Sequence, residues 1–235
     1  MDYSTTFFWL DLIAISFFVA GWLVYSAMTE GRFINRRSLT ALMNESRRQW
    51  MRTMAGRELR MIDTSIMMGL QQGTAFFAST CIFAIGGCFA LLNSSNKVME
   101  IFRDLPFIIN TTPALFEAKV MGLLVVIAYA FFKFAWSYRL FNYCSILLGS
   151  VPMVRERSPD DPLVEASVKR VSDMNILAGL HFNRGLRGIF FSIGYLGWFL
   201  GPIIFLITTA CVLYVLFRRQ FYSKARSAVI EQLPS

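Results

Sequence analysis

The chain has 235 residues, of which 55% are hydrophobic and only 16% are charged, and its mean hydropathy is +0.50. An ordinary soluble domain carries about 25% charged residues, so this composition excludes that class and predicts an all-α, polytopic membrane helix bundle. Arginine and lysine in cytoplasmic loops explain the net charge of +8, and no nucleic-acid-binding motif accompanies it, so nucleic acid is not an expected partner.

Five apolar segments predict five membrane spans within a single membrane domain, residues 1–235. The spans cover about residues 7–28, 66–92, 115–137, 188–200 and 203–217. The last two divide one uncharged stretch at Gly201-Pro202, because proline removes a backbone donor and disfavours helix in the residue before it. Each of these two arms is shorter than the roughly 17 residues that a span needs. A re-entrant hairpin or one kinked helix therefore remains an alternative.

The distribution of basic residues predicts the orientation of the chain. No lysine or arginine precedes the first span, which lacks the basic leader of a secretory signal and is interpreted as a retained span. Eight arginines lie between residues 29 and 65, and further basic residues fill 150–187 and the tail after residue 217. Since lysine and arginine concentrate in cytoplasmic segments, we expect 29–65 and 150–187 to be cytoplasmic, with the N-terminus outside and the C-terminus inside.

The basic segment after the first span contains an amphipathic stretch, SLTALMNESRRQWMRTM, at residues 38–54. Apolar side chains including Trp50 lie near one helical face, and Arg47, Arg48 and Arg52 lie off it. This pattern predicts a helix on the inner leaflet that contacts anionic headgroups, or a helix that packs on the bundle's own loops. In the third loop, turn residues such as Ser158 and Asp161 precede a second helix, which is expected from about Leu163 to near Gly179.

Ionisable residues inside or beside the predicted spans are the main candidates for function, because charges are costly in lipid. These residues are Asp11, Asp63, Lys133 and Arg139. Asp63 enters the second span from the inside, so we expect it to pair with one of the third span's cations. Arg139, beside the interfacial Trp136, is expected to reach the membrane surface, while Lys133 lies deeper.

Other polar and small residues in the spans have weaker signals. Asn142 with Gln71 or Gln72 would provide a polar lining. The patterns Gly69-x-x-x-Gly73 and Gly197-x-x-x-Gly201 are typical of helices that approach closely in lipid, within one chain or between chains.

Catalytic and metal-binding signatures do not appear in the sequence. His181 is the only histidine, and phosphate-loop, nucleophile-elbow and cysteine-pair motifs are missing. The four cysteines all lie in apolar segments, where a thiol usually serves as a small buried apolar group. We therefore expect neither a metal nor a cofactor, and an enzyme is the weakest of the possible classes.

Five motifs taken in order resemble one family of membrane proteins: RELRMIDTSIMMGL, FFAST, FFKFAWSYRLFNYCSILLG followed by Pro152, HFNRGLRGIFF and LFRRQFYSKA. Together they are similar to the domain of unknown function 599, over roughly residues 9–225. The resemblance implies a multi-helix membrane protein of a kind found in bacteria and plants, here in the bacterial cytoplasmic (inner) membrane. It implies no particular activity.

Two functions are consistent with the sequence. The first is an oligomeric channel or carrier for anions or anionic solutes, whose cytoplasmic vestibule is lined by cations such as Lys133 and Arg139. The second is a structural or assembly subunit of a larger membrane complex, or a scaffold that binds anionic lipid, in which the same cations only anchor helix ends.

Overall fold

A computed structural model of the chain describes residues 3–30, 37–95, 97–98, 100, 112–153 and 161–230. The regular structure in these residues is entirely helical, as the composition predicts. The helices are α1 Tyr3–Thr29, α2 Leu39–Ala55, α3 Met61–Asn93, α4 Pro113–Gly149, α5 Pro162–Leu200, α6 Pro202–Phe221 and α7 Lys224–Ile230. The predicted cap Ser158 lies outside the described residues, as do the basic residues Arg103, Arg155 and Arg157.

Three of the long helices begin at a proline in their first turn, where the missing N–H leaves no hydrogen bond unmade. Thr112 caps α4 by accepting the Leu115 N–H at 3.3 Å, and Asp161 caps α5 by accepting the Leu163 N–H at 2.8 Å. Asp161 therefore has the capping role that the sequence predicts.

Four helical stretches are long and apolar enough to cross a membrane: Trp9–Thr29, Met61–Asn93, Pro113–Gly149 and Pro202–Ile230. The protein is a helical membrane bundle. The fifth predicted span, 188–200, is not a separate short helix, because it is the C-terminal part of the 39-residue α5.

The third-loop helix therefore does not end near Gly179, and that prediction is wrong. A Cβ built at Gly179 would lie 2.9 Å from the Arg47 guanidinium carbon. The glycine allows α2 and α5 to approach closely through the Arg47 side chain, and it is not the end of the helix.

The predicted break at Gly201-Pro202 is present and separates α5 from α6. Gly201 has φ 135°, a backbone conformation that side chains with a Cβ rarely adopt. Its N–H donates to the Trp198 carbonyl at 3.2 Å, and Pro202 starts α6 directly. The chain thereby reverses in one residue, and α6 packs back along the end of α5.

Helix α5 is central to the bundle, because it packs against α2, α4 and α6. α3 packs on the other side of α4, and α1 packs on α6. At about 1.5 Å per residue, α4 and α5 are each longer than 50 Å, well beyond the ~30 Å of a bilayer core. Both helices therefore extend past the ends of α1 and α6.

Two buried clusters lie along these long helices. The first is rich in aromatic side chains from α1, α4, α5 and α6, among them Phe18, Phe134, Phe191, Tyr195 and Phe205. The second joins α2, α3 and the far ends of α4 and α5, with Met51, Met54, Met67, Phe141 and Val171 among its members. Arg184, Arg187 and Arg219 lie near the C-terminus of α1. We call this region the basic end of the α1/α6 pair.

Helix α2 packs on the bundle through Leu42, Met51 and Met54, which are at most 2% exposed. The sequence predicts either a helix on the inner leaflet or a helix that packs on the bundle. In the structure the apolar face of α2 packs on the bundle, because it contacts α5, α6 and α7 of the same chain. Arg48 and Arg52 lie on the exposed side, as predicted.

The two small-residue patterns differ in three dimensions. A Cβ at Gly197 would lie within 3.0 Å of the Thr208 side chain, so this glycine is where α5 and α6 touch. Nothing lies within 4 Å of a Cβ at Gly69 or Gly73. Among the described residues, Gly69 and Gly73 therefore do not mediate a close contact between two helices of the same chain. Their predicted role in a contact between chains stays a prediction.

Candidate functional site

A cavity of about 350 Å³ opens at the basic end, between α1, α2, α5 and α6. Its charged lining consists of Glu30, Arg47, Arg187 and Arg219. Uncharged polar groups add hydrogen-bonding capacity, and they include Thr40, Asn44, Asn183 and Gln220. We call this the basic cavity. Its volume is within the usual range for small-molecule sites, roughly 300–1,000 Å³.

Arg187 lies deepest among these cations and is 8% exposed. Its Nη1 donates to the Thr29 hydroxyl at 2.8 Å, and its guanidinium carbon lies 5.7 Å from the centre of the Tyr25 ring. The Tyr25 hydroxyl in turn donates to the Leu216 carbonyl at 3.3 Å, which ties α1 to α6. The loop position that the sequence suggests for Arg187 is wrong, because the helix continues through it.

Arg47 and Arg219 reach the cavity from α2 and α6. Arg47 donates to the side-chain oxygen of Asn175, which is fully buried on α5. Burial lowers the pKa of the Arg47 guanidinium from its usual value, although arginine remains protonated in proteins. Arg47 thus links α2 to α5, and its prediction as a lipid-facing residue is wrong. Arg219 is more exposed and lies over the Phe190 ring at 5.4 Å.

The positive charge of the basic cavity is not matched by carboxylates. Among the described residues, the ion pairs join Arg48 to Glu45, Arg57 to Asp63 and Arg184 to Glu30. None of these pairs includes the three arginines of the cavity. These arginines instead contact uncharged groups: Asn175 for Arg47, Thr29 for Arg187 and the Phe190 ring for Arg219. Such a setting favours an anion over a cation.

A second feature, which we call the lateral groove, lies between α1 and α4 and has a volume of about 500 Å³. Its walls are mostly apolar, with Ser26 and Tyr129 as the uncharged polar members, and they include Phe18, Val19, Trp22, Leu23, Val125 and Val126. At one end the lining changes to Glu30, Lys133, Arg184 and Arg187. Glu30 and Arg187 line both features, so the two meet at this point.

Lys133 is half-buried, and its Nζ lies 5.1 Å from the centre of the Tyr129 ring, a cation–π contact. It reaches the same end of the groove as Glu30, next to the C-terminus of α1. Lys133 is therefore level with the end of a span, and α4 continues beyond it to Gly149. Arg139 is exposed, donates to the Tyr143 hydroxyl at 2.6 Å and lies over the Trp136 ring at 6.0 Å.

The predicted ion pair between Asp63 and a cation of the third span is wrong. Asp63 is fully buried and accepts from Arg57 Nη1 at 2.6 Å and from Trp50 Nε1 at 2.7 Å. Both donors come from the α2 end of the chain, six and thirteen residues away in sequence. Asp63 is therefore bound by partners that are near it in sequence. Trp50, which the sequence predicts as a membrane-interface residue, instead donates a hydrogen bond within the protein.

We expect the Asp63→Asn variant to lose about 2 kcal/mol of unfolding free energy, because Arg57 loses its partner but is partly hydrated. Chemical unfolding in detergent micelles measures this. The matched control is Glu45→Gln, which breaks the solvent-exposed Arg48–Glu45 pair and should change stability by less than about 0.5 kcal/mol. Equal losses in the two variants would contradict a structural role for Asp63.

A third polar cluster lies at the opposite end of the bundle and includes Asp11. Asp11 accepts from Trp198 Nε1 at 2.5 Å, and Lys119 Nζ donates to the Trp198 carbonyl at 2.9 Å. Lys119 is 3% exposed and lies inside the predicted third span, 115–137. Because Thr112 caps α4 seven residues earlier, Lys119 falls within the helix, where it neutralises the C-terminal carbonyls of α5.

The remaining polar candidates of the spans do not converge on one site. Gln71 donates to the Ser145 hydroxyl at 3.0 Å and so links α3 to α4. Gln72 is exposed, and Asn142 is half-buried on α4. None of the three lines the basic cavity or the lateral groove.

His181 is half-buried on α5, with its ring edge-on to Trp136 at 6.4 Å. Burial is the largest cause that lowers the pKa of this imidazole, followed by the charges of Lys133 and Arg184. These effects favour the neutral imidazole. Across the described part of the chain, no three His, Cys, Asp or Glu side chains come together in a way that would hold a metal ion.

Comparison with protein families gives one match, which covers residues 13–225 and carries the description "Protein of unknown function, DUF599". The chain belongs to the DUF599 family. This confirms the resemblance seen in the five ordered motifs. The comparisons with curated proteins and with solved structures gave no match.

The DUF599 motifs include residues of both features. HFNRGLRGIFF holds Arg184 and Arg187, FFKFAWSYRLFNYCSILLG holds Lys133, and LFRRQFYSKA holds Arg219. The sequence predicts a loop position for Arg187, because the predicted span 188–200 begins at Gly188 and leaves the arginine just outside. The signal that would have found it is its helical spacing to buried residues of α5: Arg187, Phe191 and Tyr195 are four apart and share one face.

Proposed function

We propose that this DUF599 protein is a carrier for anionic solutes, which bind in the basic cavity. The observation that supports this most strongly is the convergence of Arg47, Arg187 and Arg219 on one cavity, where Glu30 is the only acidic side chain among the described lining residues. A small anion would supply a negative charge to pair with these guanidinium groups, and the neighbouring hydroxyl and amide groups would fix its orientation.

The packing beyond the cavity favours a carrier over an open channel within one chain. Rings of Phe18, Phe191, Tyr195 and Phe205 contact each other there, with centroids 5.3–5.6 Å apart. These side chains fill the bundle between the cavity and the Asp11 cluster. An anion in the cavity would have access from one side only, as in a carrier that alternates its access.

The proposal includes a topology and a location. The N-terminus lies outside and the C-terminus inside, so the basic cavity faces the cytoplasm, as the excess of arginine at that end supports. The membrane is the bacterial cytoplasmic membrane. A homo-oligomer or a larger membrane complex would use the open face of α3, where no described residue lies within 4 Å of a Cβ built at Gly69 or Gly73.

The alternative function is a structural scaffold that binds anionic lipid or assembles a membrane complex. The lateral groove favours it, because apolar walls and cations at one end suit a lipid more than a soluble ion.

Uptake by proteoliposomes tests the carrier. Liposomes that contain the pure protein should take up at least one of chloride, acetate and inorganic phosphate faster than protein-free liposomes. Arg219→Gln should lower this uptake about tenfold by removing a cation of the cavity. Arg218→Gln is the matched control, since Arg218 is equally exposed on α6 but does not line the cavity. No flux of any of the three anions would contradict the carrier.

A further inference from the structure

The lateral groove combines the two properties of a site for an anionic lipid. Leu23 and Val125 on its walls are 64% and 63% exposed, so the groove is open at the surface of the bundle. Trp22 forms its floor: the indole stacks on Phe191 at 4.7 Å and meets Tyr129 edge-on at 5.4 Å. These contacts hold the floor rigid and apolar, which suits a hydrocarbon chain.

The length of the groove corresponds to one leaflet. From Phe18 to Glu30, α1 rises by about 18 Å, and half of the ~30 Å hydrocarbon core is about 15 Å. The apolar residues lie toward the middle of α1, and the charged residues lie at its C-terminal end. An acyl chain in the groove would thus reach the middle of the bilayer while its headgroup stays at the surface.

The charged end of the groove favours a phosphate over a zwitterionic headgroup. Lys133, Arg184 and Arg187 line this end with Glu30. Glu30 pairs with Arg184 at 2.8 Å, and no ion pair among the described residues joins a carboxylate to Lys133 or Arg187. Lys133 lines the groove from α4, with its Nζ above the Tyr129 ring.

We propose that the lateral groove binds one anionic phospholipid of the surrounding bilayer, with an acyl chain between α1 and α4 and the phosphate at Lys133 and Arg187. This site does not rest on the carrier function: a protein that carries nothing would still bind the lipid. Lys133 then has a specific role as a headgroup ligand, whereas Arg139, on an exposed part of α4, does not line the groove.

Lipid titration followed by native mass spectrometry tests the proposal. The protein in detergent micelles is titrated with phosphatidylglycerol and with phosphatidylcholine of the same acyl chains. We expect saturable binding of one phosphatidylglycerol with at least tenfold preference, and Lys133→Gln should reduce that affinity about tenfold. Arg219→Gln, which removes a cation of the basic cavity alone, should leave it within about twofold of the wild type.

Two further arms separate the groove from other sources of binding. Val125→Trp places a larger side chain in the groove at an exposed position of its apolar wall. It should weaken the binding of phosphatidylglycerol even though the headgroup contacts are unchanged. Glycerol phosphate, which has the charge but no acyl chain, should not displace the lipid. Equal binding of the two lipids, displacement by glycerol phosphate, or equal losses for Lys133→Gln and Arg219→Gln would overturn the proposal.

Discussion

Replacing Arg187 with methionine is expected to abolish anion binding in the basic cavity while the protein stays folded. Arg187 is the most buried of the three cavity arginines, and its guanidinium donates to the Thr29 hydroxyl and lies over the Tyr25 ring. Loss of two charge-assisted hydrogen bonds to an anion would weaken binding about a hundredfold, or ~3 kcal/mol. Isothermal calorimetry with inorganic phosphate and proteoliposome uptake measure the change.

The same substitution should not cost stability, and this separates a binding role from a structural one. Methionine has a similar length, and removing an incompletely compensated buried charge is often neutral or stabilising. The matched control is Arg139→Met, which removes an exposed cation of α4 outside both features. If Arg187→Met unfolds the protein, or if Arg139→Met weakens phosphate binding equally, Arg187 is not the central anion ligand.

The Gly197→Ala variant is expected to lose about 2 kcal/mol of unfolding free energy, because a Cβ there meets α6. It would lie within 3.0 Å of the Thr208 hydroxyl and 3.1 Å from the Ile204 carbonyl oxygen. Thr208 cannot simply turn away, because its hydroxyl donates to the Gly194 carbonyl at 2.7 Å. Backbone movement is then needed, and overpacking of this kind typically costs about 1–3 kcal/mol. Unfolding in detergent micelles with added denaturant measures the loss.

Gly73→Ala is the matched control for this prediction. Nothing lies within 4 Å of its Cβ, and alanine has the higher helix propensity, so stability should stay the same or rise slightly. Equal losses of unfolding free energy for the two variants in the monomeric protein would contradict the prediction. The loss at Gly197 would then not come from the α5–α6 contact. A loss at Gly73 that depends on protein concentration would instead point to contact between chains.

Local sequence signals were sufficient for most of the secondary structure. The break at Gly201-Pro202, the cap at Asp161 and the start of α5 follow from backbone chemistry that acts within a few residues. The ends of helices were predicted less well. The helix through Gly179 continues, because Arg47 from α2 occupies the space that a side chain would take, and no local pattern contains that information.

Pairing between distant charges could not be predicted from depth in the membrane. Asp63 and Lys133 are plausible partners if only their distance from the membrane surface is considered. In the structure, Asp63 finds Arg57 and Trp50, which are close to it in sequence, and Lys133 lies over Tyr129 on its own helix. A short local connection costs less chain entropy than a contact between separate helices, so the nearer partner prevails.

By itself, the sequence determined that this is a helical membrane protein, that a helix starts close to Leu163, and that the chain breaks at Gly201-Pro202. Hydropathy, proline and capping residues act locally, so they can be interpreted without a fold. Only the tertiary structure decided which cations meet. Arg47, Arg187 and Arg219 come from three helices and share one cavity, while Lys133 lines the adjoining groove, which Arg187 also reaches. That selection depends on helix packing, in which a glycine such as Gly197 or Gly179 admits a neighbour and Gly73 does not.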